Sequence, residues 1–490
     1  MKIAWPVWPV PAVVAVLLVV AAAGLAGCKV DNAREAAKYR GVLDQRLPQP
    51  TTLAPGQVLT LREALAMANR HNERLALSGE DYLQSLIAKD RAASVFLPSV
   101  GIRPTYTELE SFAAPATVGT LFPRRTTDVP VNVGLHFSAS DAANVVKADV
   151  MARYRLAVLL NLQSDILVST AQTYYLILQL ERQIAVLENS VKVHDDRVRD
   201  MRAKLKAGTV RPLDVSQTEA EAAATRVSLV DARRKRQAAR TGLAFLVGLP
   251  RVDNPLADEF EVPPAPALEA LQTDAAQHRQ DLLAAAALVN TAEKGVAAAI
   301  GEYFPSISVD FTYFLSRQSF PPDSRWLFGA SVDLPIFKGG ATYADVRTAY
   351  SYLRQARQYL SLTERQVNRE VEVAYDDFQA SGQRLKELQD EVDAARHAFS
   401  LADQAYQIGL GTNLERLIVQ DRLLQAELQL AAETLNRKIF YLQLSRATGT
   451  LVEEVSGKPP ALPPAPPAAK PAAAPPAAPP AAKPAAKPVG

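Results

Sequence analysis

Sulfur and histidine are scarce in this chain. Among its 490 residues there are one cysteine, Cys28, and five histidines (His71, His136, His194, His278 and His397), scattered without metal-ligand spacing. A disulfide framework and a thiolate zinc centre are therefore excluded. Excess charge of either sign is also missing: 54 Lys+Arg face 52 Asp+Glu, a formal net charge of +2. That balance leaves no basic footprint for a nucleic acid. The sequence holds no phosphate-cradling glycine loop, no nucleophile motif and no His/Cys cluster, so neither an enzyme nor a bound cofactor is expected. Proline and glycine are absent from residues 141–207, and residues 341–407 contain only Gly382. Apolar surface is ample: 48% of the residues are hydrophobic, which excludes a chain disordered throughout.

The N-terminus carries an apolar run, Ala12 to Gly24, which is short for a bilayer span and suits a signal-peptide core. Leu25-Ala26-Gly27-Cys28 follows and resembles the lipobox of bacterial lipoproteins, in which cleavage precedes an acylated cysteine. On that reading residues 1–27 are a signal peptide and Cys28 opens an N-terminal lipid-anchored segment, 28–57. The rival is an ordinary secretory signal with an incidental thiol. Lys29 rather than Asp follows the cysteine; under the usual sorting rule this implies export to the outer membrane. At the other end, residues 452–490 become almost wholly Pro and Ala from Pro459 onward, with Lys470, Lys483 and Lys487. Such a composition cannot build a core and is expected to be a disordered, partly polyproline tail.

The body repeats once. Leu97-Pro98-Ser99-Val100 recurs as Phe304-Pro305-Ser306-Ile307, and Ala207-Gly208-Thr209-Val210-Arg211-Pro212-Leu213-Asp214 as Ile408-Gly409-Leu410-Gly411-Thr412-Asn413-Leu414-Glu415. Repeats over residues 58–248 and 268–451, joined by a linker at 249–267, each read as helix, two strands, a very long helix, a glycine turn and a returning helix. Val129, Val131, Val133, Leu135 and Phe137 alternate with polar or small residues. So do Ile307, Val309, Phe311, Tyr313 and Leu315, and Trp326, Phe328, Ala330, Val332, Leu334 and Ile336; a weaker strand is expected at about 100–110. Period-two segments fit either a membrane barrel with a wet lumen or a sheet half buried on a soluble core.

The long helices are the stronger signal. At 1.5 Å per residue each would run roughly 100 Å. In the second, Val346, Ala349, Leu353, Ala356, Leu360, Val367, Val371, Ala374, Phe378, Leu385, Leu388, Val392, Ala395, Phe399, Ala402 and Tyr406 form one stripe stepping by threes and fours with two skipped positions. The first is similar but looser (Val158, Leu162, Ile166, Leu176, Leu180, Ile184, Leu187, Val191, Val198, Met201, Leu205). Such a stripe marks coiled-coil packing, so hairpins of long helices turning at Gly208 and at Gly409-Leu410-Gly411 are expected. The strands are too few for a single-chain outer-membrane barrel, which begins at about eight, and open edges are not tolerated in hydrocarbon. Several copies must pool their strands.

This order of elements, the duplication and the motifs resemble the TolC-like outer membrane efflux protein family, in its lipoprotein branch. The most specific pieces are Leu334-Pro335-Ile336-Phe337-Lys338-Gly339-Gly340 and the stretch from Tyr406 to Gln420. The resemblance implies a mostly helical chain with four transmembrane strands, forming a homotrimer with a 12-stranded β-barrel and a periplasmic α-helical barrel. It also implies docking on a periplasmic adaptor and an inner-membrane pump, and export of drugs, metals or other cargo by tripartite efflux or type I secretion. The first repeat departs from the pattern, with Phe137-Ser138-Ala139-Ser140-Asp141 at its strand-to-helix junction. A structural coiled-coil lipoprotein without a pore is the alternative; it accounts for the heptads but not for the paired strands.

A conduit needs a gate and a docking surface. By the resemblance, acidic side chains ring the pore at the periplasmic turns, where Asp214 and Glu415 fall at matching places. Such rings favour cations; a first-turn acid beside a helix dipole is the plainer reading. Tyr406 matches a gate tyrosine of the family, or is a core position of the stripe. The family's gate arginine is replaced by Gly411, which leaves Arg211 or Arg416 as substitutes. Gly208, Gly409 and Gly411 serve the turns, and with Arg211 and Thr412 they are the expected adaptor contacts. Trp326, Tyr313, Phe328 and Phe337 are candidates for an interfacial aromatic girdle.

Overall fold

The computed structural model describes residues 30–44, 56–109, 125–319 and 323–456. Cys28, the signal segment and the Pro/Ala tail lie outside the described residues. The segment after Cys28 contains helix α1 (Asn32–Asp44), whose Tyr39 and Leu43 are buried. Each repeat then opens with two short helices: α2 (Leu61–His71) and α3 (Glu73–Ala93) in the first, α6 (Leu268–His278) and α7 (Gln280–Gly301) in the second. Thr60 starts α2 through a capping box, accepting from the Glu63 N–H at 3.3 Å while Glu63 accepts from the Thr60 N–H at 3.0 Å. Helix α7 alone, among the described residues, is long and apolar enough to cross a membrane. It packs instead along the long helices α4 (Ala139–Lys206) and α8 (Ala341–Gln407).

Helices α4 and α8 each pair with a returning helix, α5 (Pro212–Leu246) and α9 (Asn413–Thr448), and α9 also packs on α4. A short α10 (Leu451–Ser456) closes the described chain. Of the stripe expected for α8, Leu353, Ala356, Val367, Val371, Phe378, Val392 and Ala395 are buried, while Val346, Ala349, Leu360, Ala374, Leu385, Leu388, Phe399, Ala402 and Tyr406 are half-buried. The α4 stripe reads loosely because the middle of α4 is buried on several faces, with Leu159, Gln163, Leu167, Tyr174 and Tyr175 enclosed by α1, α2, α5 and α9. Leu176, expected inside, is exposed.

Gly382 breaks the otherwise glycine-free α8 for a packing reason. A Cβ there would overlap the Arg437 guanidinium, which lies 4.6 Å over the Phe378 ring. The linker between the repeats is tied in as well. Leu256 pairs with Leu59, and the buried Tyr174 hydroxyl lies between the carbonyls of Leu59 (2.8 Å) and Ala257 (2.6 Å), to one of which it donates at a time.

The duplication is exact at its ends. Gly248 (φ +68°) and Gly449 (φ +82°) terminate the returning helices, and a Cβ on either would strike the backbone of His71 or His278. The next residues, Asn72 and Arg279, reach the same helix ends, donating to the Leu246 carbonyl at 3.1 Å and the Ala447 carbonyl at 3.3 Å. Arg279 adds a charge network that Asn72 lacks. It contacts Asp281 at 2.7 Å and Glu370 at 2.8 Å, and Glu370 meets Arg446 at 2.9 Å. Arg446 in turn contacts Asp165 of α4 at 2.7 Å. Burial pushes the Asp281 carboxyl up, but the hydrogen bond and charge of Arg279 outweigh it and hold the group below the usual carboxylate range.

The sheet is antiparallel, in the order β1 (Ser99–Ile102), β3 (Arg125–Phe137), β4 (Ser306–Ser316), β5 (Trp326–Asp333), with β2 (Thr105–Glu108) also on β3. The single strand expected at about 100–110 is thus split, because Arg103-Pro104 interrupts it and proline cannot donate to a ladder. The last strand ends at Asp333, so Leu334 and Ile336 leave the sheet. The junctions differ between repeats. In the first, Ser138 caps α4, accepting from the Asp141 N–H at 3.0 Å. In the second, Gly339 (φ +63°) and Gly340 (φ +86°) turn the chain through conformations that side chains rarely adopt.

Candidate functional site

Two regions hold the unusual features: the sheet at one end and the helical turns at the other. Across the sheet, register aligns apolar rows. Val133 opposes Phe311, which opposes Phe328; Val131 opposes Tyr313, which opposes Trp326; Phe137 opposes Ile307, which opposes Val332. The other face is polar: Thr312 Oγ1 donates to Asn132 Oδ1 at 2.9 Å, His136 Nδ1 lies 3.0 Å from Ser308 Oγ, and Asp310 opposes Gly134 and Gly329. The apolar face is not packed against the chain's own body, since Trp326, Phe328 and Val332 are 61%, 57% and 68% exposed. A sheet half buried on a soluble core would hide these residues. Both edges, β5 and β1/β2, are unpaired among the described residues. This is an amphipathic wall that needs hydrocarbon on one side, water on the other and a strand at each edge.

The turns at the far end are built alike. Gly208 (φ +74°) and Gly409 (φ +78°) end α4 and α8 in the left-handed conformation that glycine adopts at low cost. The next N–H groups, of Thr209 and Leu410, return to the carbonyls of Lys204 and Ala405 at 3.0 and 2.8 Å. Gly411 differs from expectation, because its φ is not positive. It is small because a Cβ there would lie 3.2 Å from the Tyr406 nitrogen and 3.3 Å from the Ala405 Cβ.

The matched acids both cap the returning helices. Glu415 accepts from the Thr412 N–H at 2.8 Å and hydroxyl at 2.9 Å, and these bonds hold its carboxyl below the usual range. Asp214 accepts from the Arg211 N–H at 3.2 Å and lies 3.0 Å from its guanidinium; the side-chain hydrogen bond from Arg211 is the main cause of its lowered pKa. Arginine cannot accept a bond, so only half a capping box forms there. Arg211 is therefore engaged within its own turn and does not reach Tyr406.

Arg416 does. It is buried, stacks 4.2 Å over the Tyr406 ring, and lies 3.5 Å from Asp403. It also donates to Asn413 Oδ1 at 3.0 Å. Asn413 in turn crosses to the first hairpin, donating to Thr218 Oγ1 at 3.2 Å and the Asp214 carbonyl at 3.4 Å. The Tyr406 hydroxyl meets Met201 Sδ at 3.4 Å, and Lys204 lies 5.4 Å over the ring. Tyr406 thus stands at the seam between hairpins, with the backbone of Asp214, rather than its carboxylate, joined to the other side. Sequence reasoning missed Asn413, Thr218, Arg197 and His194. The available signal was a polar residue in an apolar stripe, His194 between Val191 and Val198.

Long paired helices below an unclosed amphipathic sheet define a wall segment of a membrane-spanning tube. The outer membrane efflux protein profile matches residues 145–249 and 271–450, and the chain belongs to that family. It is 24% identical over 319 residues to the outer membrane efflux protein BepC of Brucella suis, covering 64% of this chain and 70% of BepC. To the probable efflux pump outer membrane protein TtgC of Pseudomonas putida it is 26% identical over 305 residues, covering 59% of this chain and 61% of TtgC. The crystal structure of the outer membrane protein VceC of Vibrio cholerae shares the fold, with a TM-score of 0.69 at 20% identity, covering 79% of this chain and 96% of VceC. The chain is a bacterial outer-membrane protein of mostly helical, duplicated architecture.

Proposed function

We propose that the chain is one third of a homotrimeric export conduit, with pooled sheets closing a barrel in the outer membrane and helical hairpins forming a tube into the periplasm. The observation that carries this is the sheet: apolar on one exposed face, polar on the other, and open at both edges. A pore-free lipoprotein strut has no use for such a wall. Sealing the two edges and the apolar face requires neighbours and lipid together.

The turns are the proposed gate and docking end. Asp214 and Glu415 would set a negative mouth by position, while the Tyr406 seam holds the hairpins together. Gly208, Arg211, Gly409, Gly411 and Thr412 shape the tips presented to a periplasmic adaptor and its inner-membrane pump. Exposed Ile408 (70%), Leu410 (83%) and Ile418 (60%) supply apolar area there for such a partner. Acylation at Cys28 would add a second, independent anchor. The cargo class is left to the pump.

Single-channel recording of the purified protein in planar bilayers tests the conduit. Discrete currents from a trimer are expected; silence from an intact trimer across pH and salt would return the strut reading. Cys28→Ala should lose palmitate labelling while keeping the trimer.

A further inference from the structure

The two hairpins meet near their tips along a buried polar seam that is short of partners. His194 of α4 is 2% exposed, and its Nε2 lies 3.3 Å from Nε2 of Gln420 on α9. Among the described residues, His194 Nδ1, Gln420 Oε1, Arg197 Nη1 and Arg416 Nε have no hydrogen-bond partner. Arg197 makes a cation–π contact with Phe399 of α8 at 5.2 Å. Burial, and then the charge of Arg416, bring its pKa down to about 10, against an opposing pull from Asp403.

The charged groups around His194 come from every neighbouring helix. Its own α4 supplies Arg197 and Asp195, the latter bound to Arg226 of α5 at 2.5 Å. Helix α9 supplies the exposed Asp421, while Arg416 of α9 and Asp403 of α8 act on Arg197. Inside the seam, two guanidinium groups therefore share one carboxylate, Asp403. Burial and then Arg197 push the His194 pKa down, while Asp195 and Asp421 pull it back less strongly. The neutral imidazole is the form that fits.

We infer that His194 is a proton-operated release of the hairpin seam: protonation sets a cation beside Arg197, which already faces the charge of Arg416, and the two hairpins part at their tips. The sign follows from linkage. In the parted state the imidazole is solvated and regains its ordinary value of 6.5. The closed seam is at full strength above that value and weakens as pH falls from it towards the depressed closed-state value. The closed-to-open ratio changes by about tenfold for each unit of depression. Glu221 of α5 acts oppositely. Burial and Asp421 of α9 push its carboxyl up, so acid relieves a repulsion across the same seam.

The inference deepens the conduit reading, but its first test needs no current. Hydrogen exchange of the full-length protein in detergent is followed over residues 190–205 and 413–425 at about pH 7.5 and about pH 5.5, on either side of the histidine range, after correction for intrinsic rates. Wild type should lose protection at the lower pH by up to about tenfold, the ceiling set by a pH about one unit below the ordinary histidine value. His194→Gln should hold or gain protection, and Glu221→Gln, which lacks the opposing carboxylate, should lose at least as much as wild type. His194→Asn serves the same comparison if glutamine disturbs the seam at the higher pH. Equal loss in wild type and both His194 variants, or no loss in wild type, overturns the release. In bilayers, acid should raise the open fraction of wild type but not of His194→Gln. A wild type silent at every pH would count against the conduit and leave the exchange result standing.

Discussion

Asn413→Ala should loosen the gate more than any change to the acidic residues at the tips. Asn413 is 5% exposed and donates across the seam to Thr218 Oγ1 at 3.2 Å and to the Asp214 carbonyl at 3.4 Å. A neutral hydrogen bond contributes about 1 kcal/mol net, and the longer of these is weak by geometry. The pair is therefore worth about 1–2 kcal/mol per protomer. Thr218 also donates to the Asp214 carbonyl at 2.8 Å, so that carbonyl keeps a partner after the truncation. Asn413 opens α9 directly after its cap, Thr412, and alanine there does not harm the helix. If three seams release in concert the sum is about 3–6 kcal/mol, or roughly 100- to 10,000-fold in the open-to-closed ratio. Asn413→Asp keeps the acceptor for Arg416 but replaces the crossing donors with a carboxylate oxygen facing the Asp214 carbonyl, so it should loosen the seam at least as much as alanine. Open probability in planar bilayers is the measurement. An Asn413→Ala trimer gating as wild type would refute the claim that this amide joins the hairpins.

Three further outcomes follow from the packing and the caps. Gly382→Ala gains about 1 kcal/mol of helix propensity while its Cβ pushes only the guanidinium end of Arg437 off Phe378, a contact worth about 0.5–1 kcal/mol, so the stability read from denaturant midpoints should move by less than about 1 kcal/mol; a loss above about 2 kcal/mol, the scale of an overpacked core, would show that Arg437 has nowhere to swing. Glu370→Ala removes a partly exposed carboxylate shared by Arg279 and Arg446, each of which keeps another carboxylate partner, Asp281 or Asp165; it should cost about 1–2 kcal/mol, with Glu370→Gln in between, and a loss under about 0.5 kcal/mol, the scatter of ordinary surface changes, would deny the network a structural role. Replacing Asp214 with Asn and Glu415 with Gln together should lower the cation-to-anion permeability ratio measured from reversal potentials, and an unchanged ratio would remove both from the mouth.

Much of this architecture is legible in the chain because it is repetitive. The α8 stripe from Leu353 to Ala395 buries as its three-four stepping dictates, and Gly208 and Gly409 adopt the positive φ that a tight helix stop demands. The strands show their period but not their partners, since alternation alone does not say whether Trp326 faces lipid or a core. The break at Arg103-Pro104 is written in the chain, since proline cannot donate to a ladder. The seam at the tips was hidden for a different reason. His194, Thr218, Tyr406, Asn413 and Gln420 lie on separate helices of two repeats, and only the pairing of hairpins brings them together. The exchange of Asn72 for Arg279 at equivalent helix ends shows how one backbone task is met by an amide in one copy and by a salt-bridged cation in the other.

The bare margins of the sheet carry a consequence for biogenesis. Among the described residues β5 and β1/β2 have no strand on their outer side, and strand margins of that sort recruit whatever extended peptide drifts by. Maturation is therefore a race between meeting siblings and meeting strangers. Its yield should climb steeply with expression at first, then fall once unrelated or misregistered pairings outpace insertion into the bilayer.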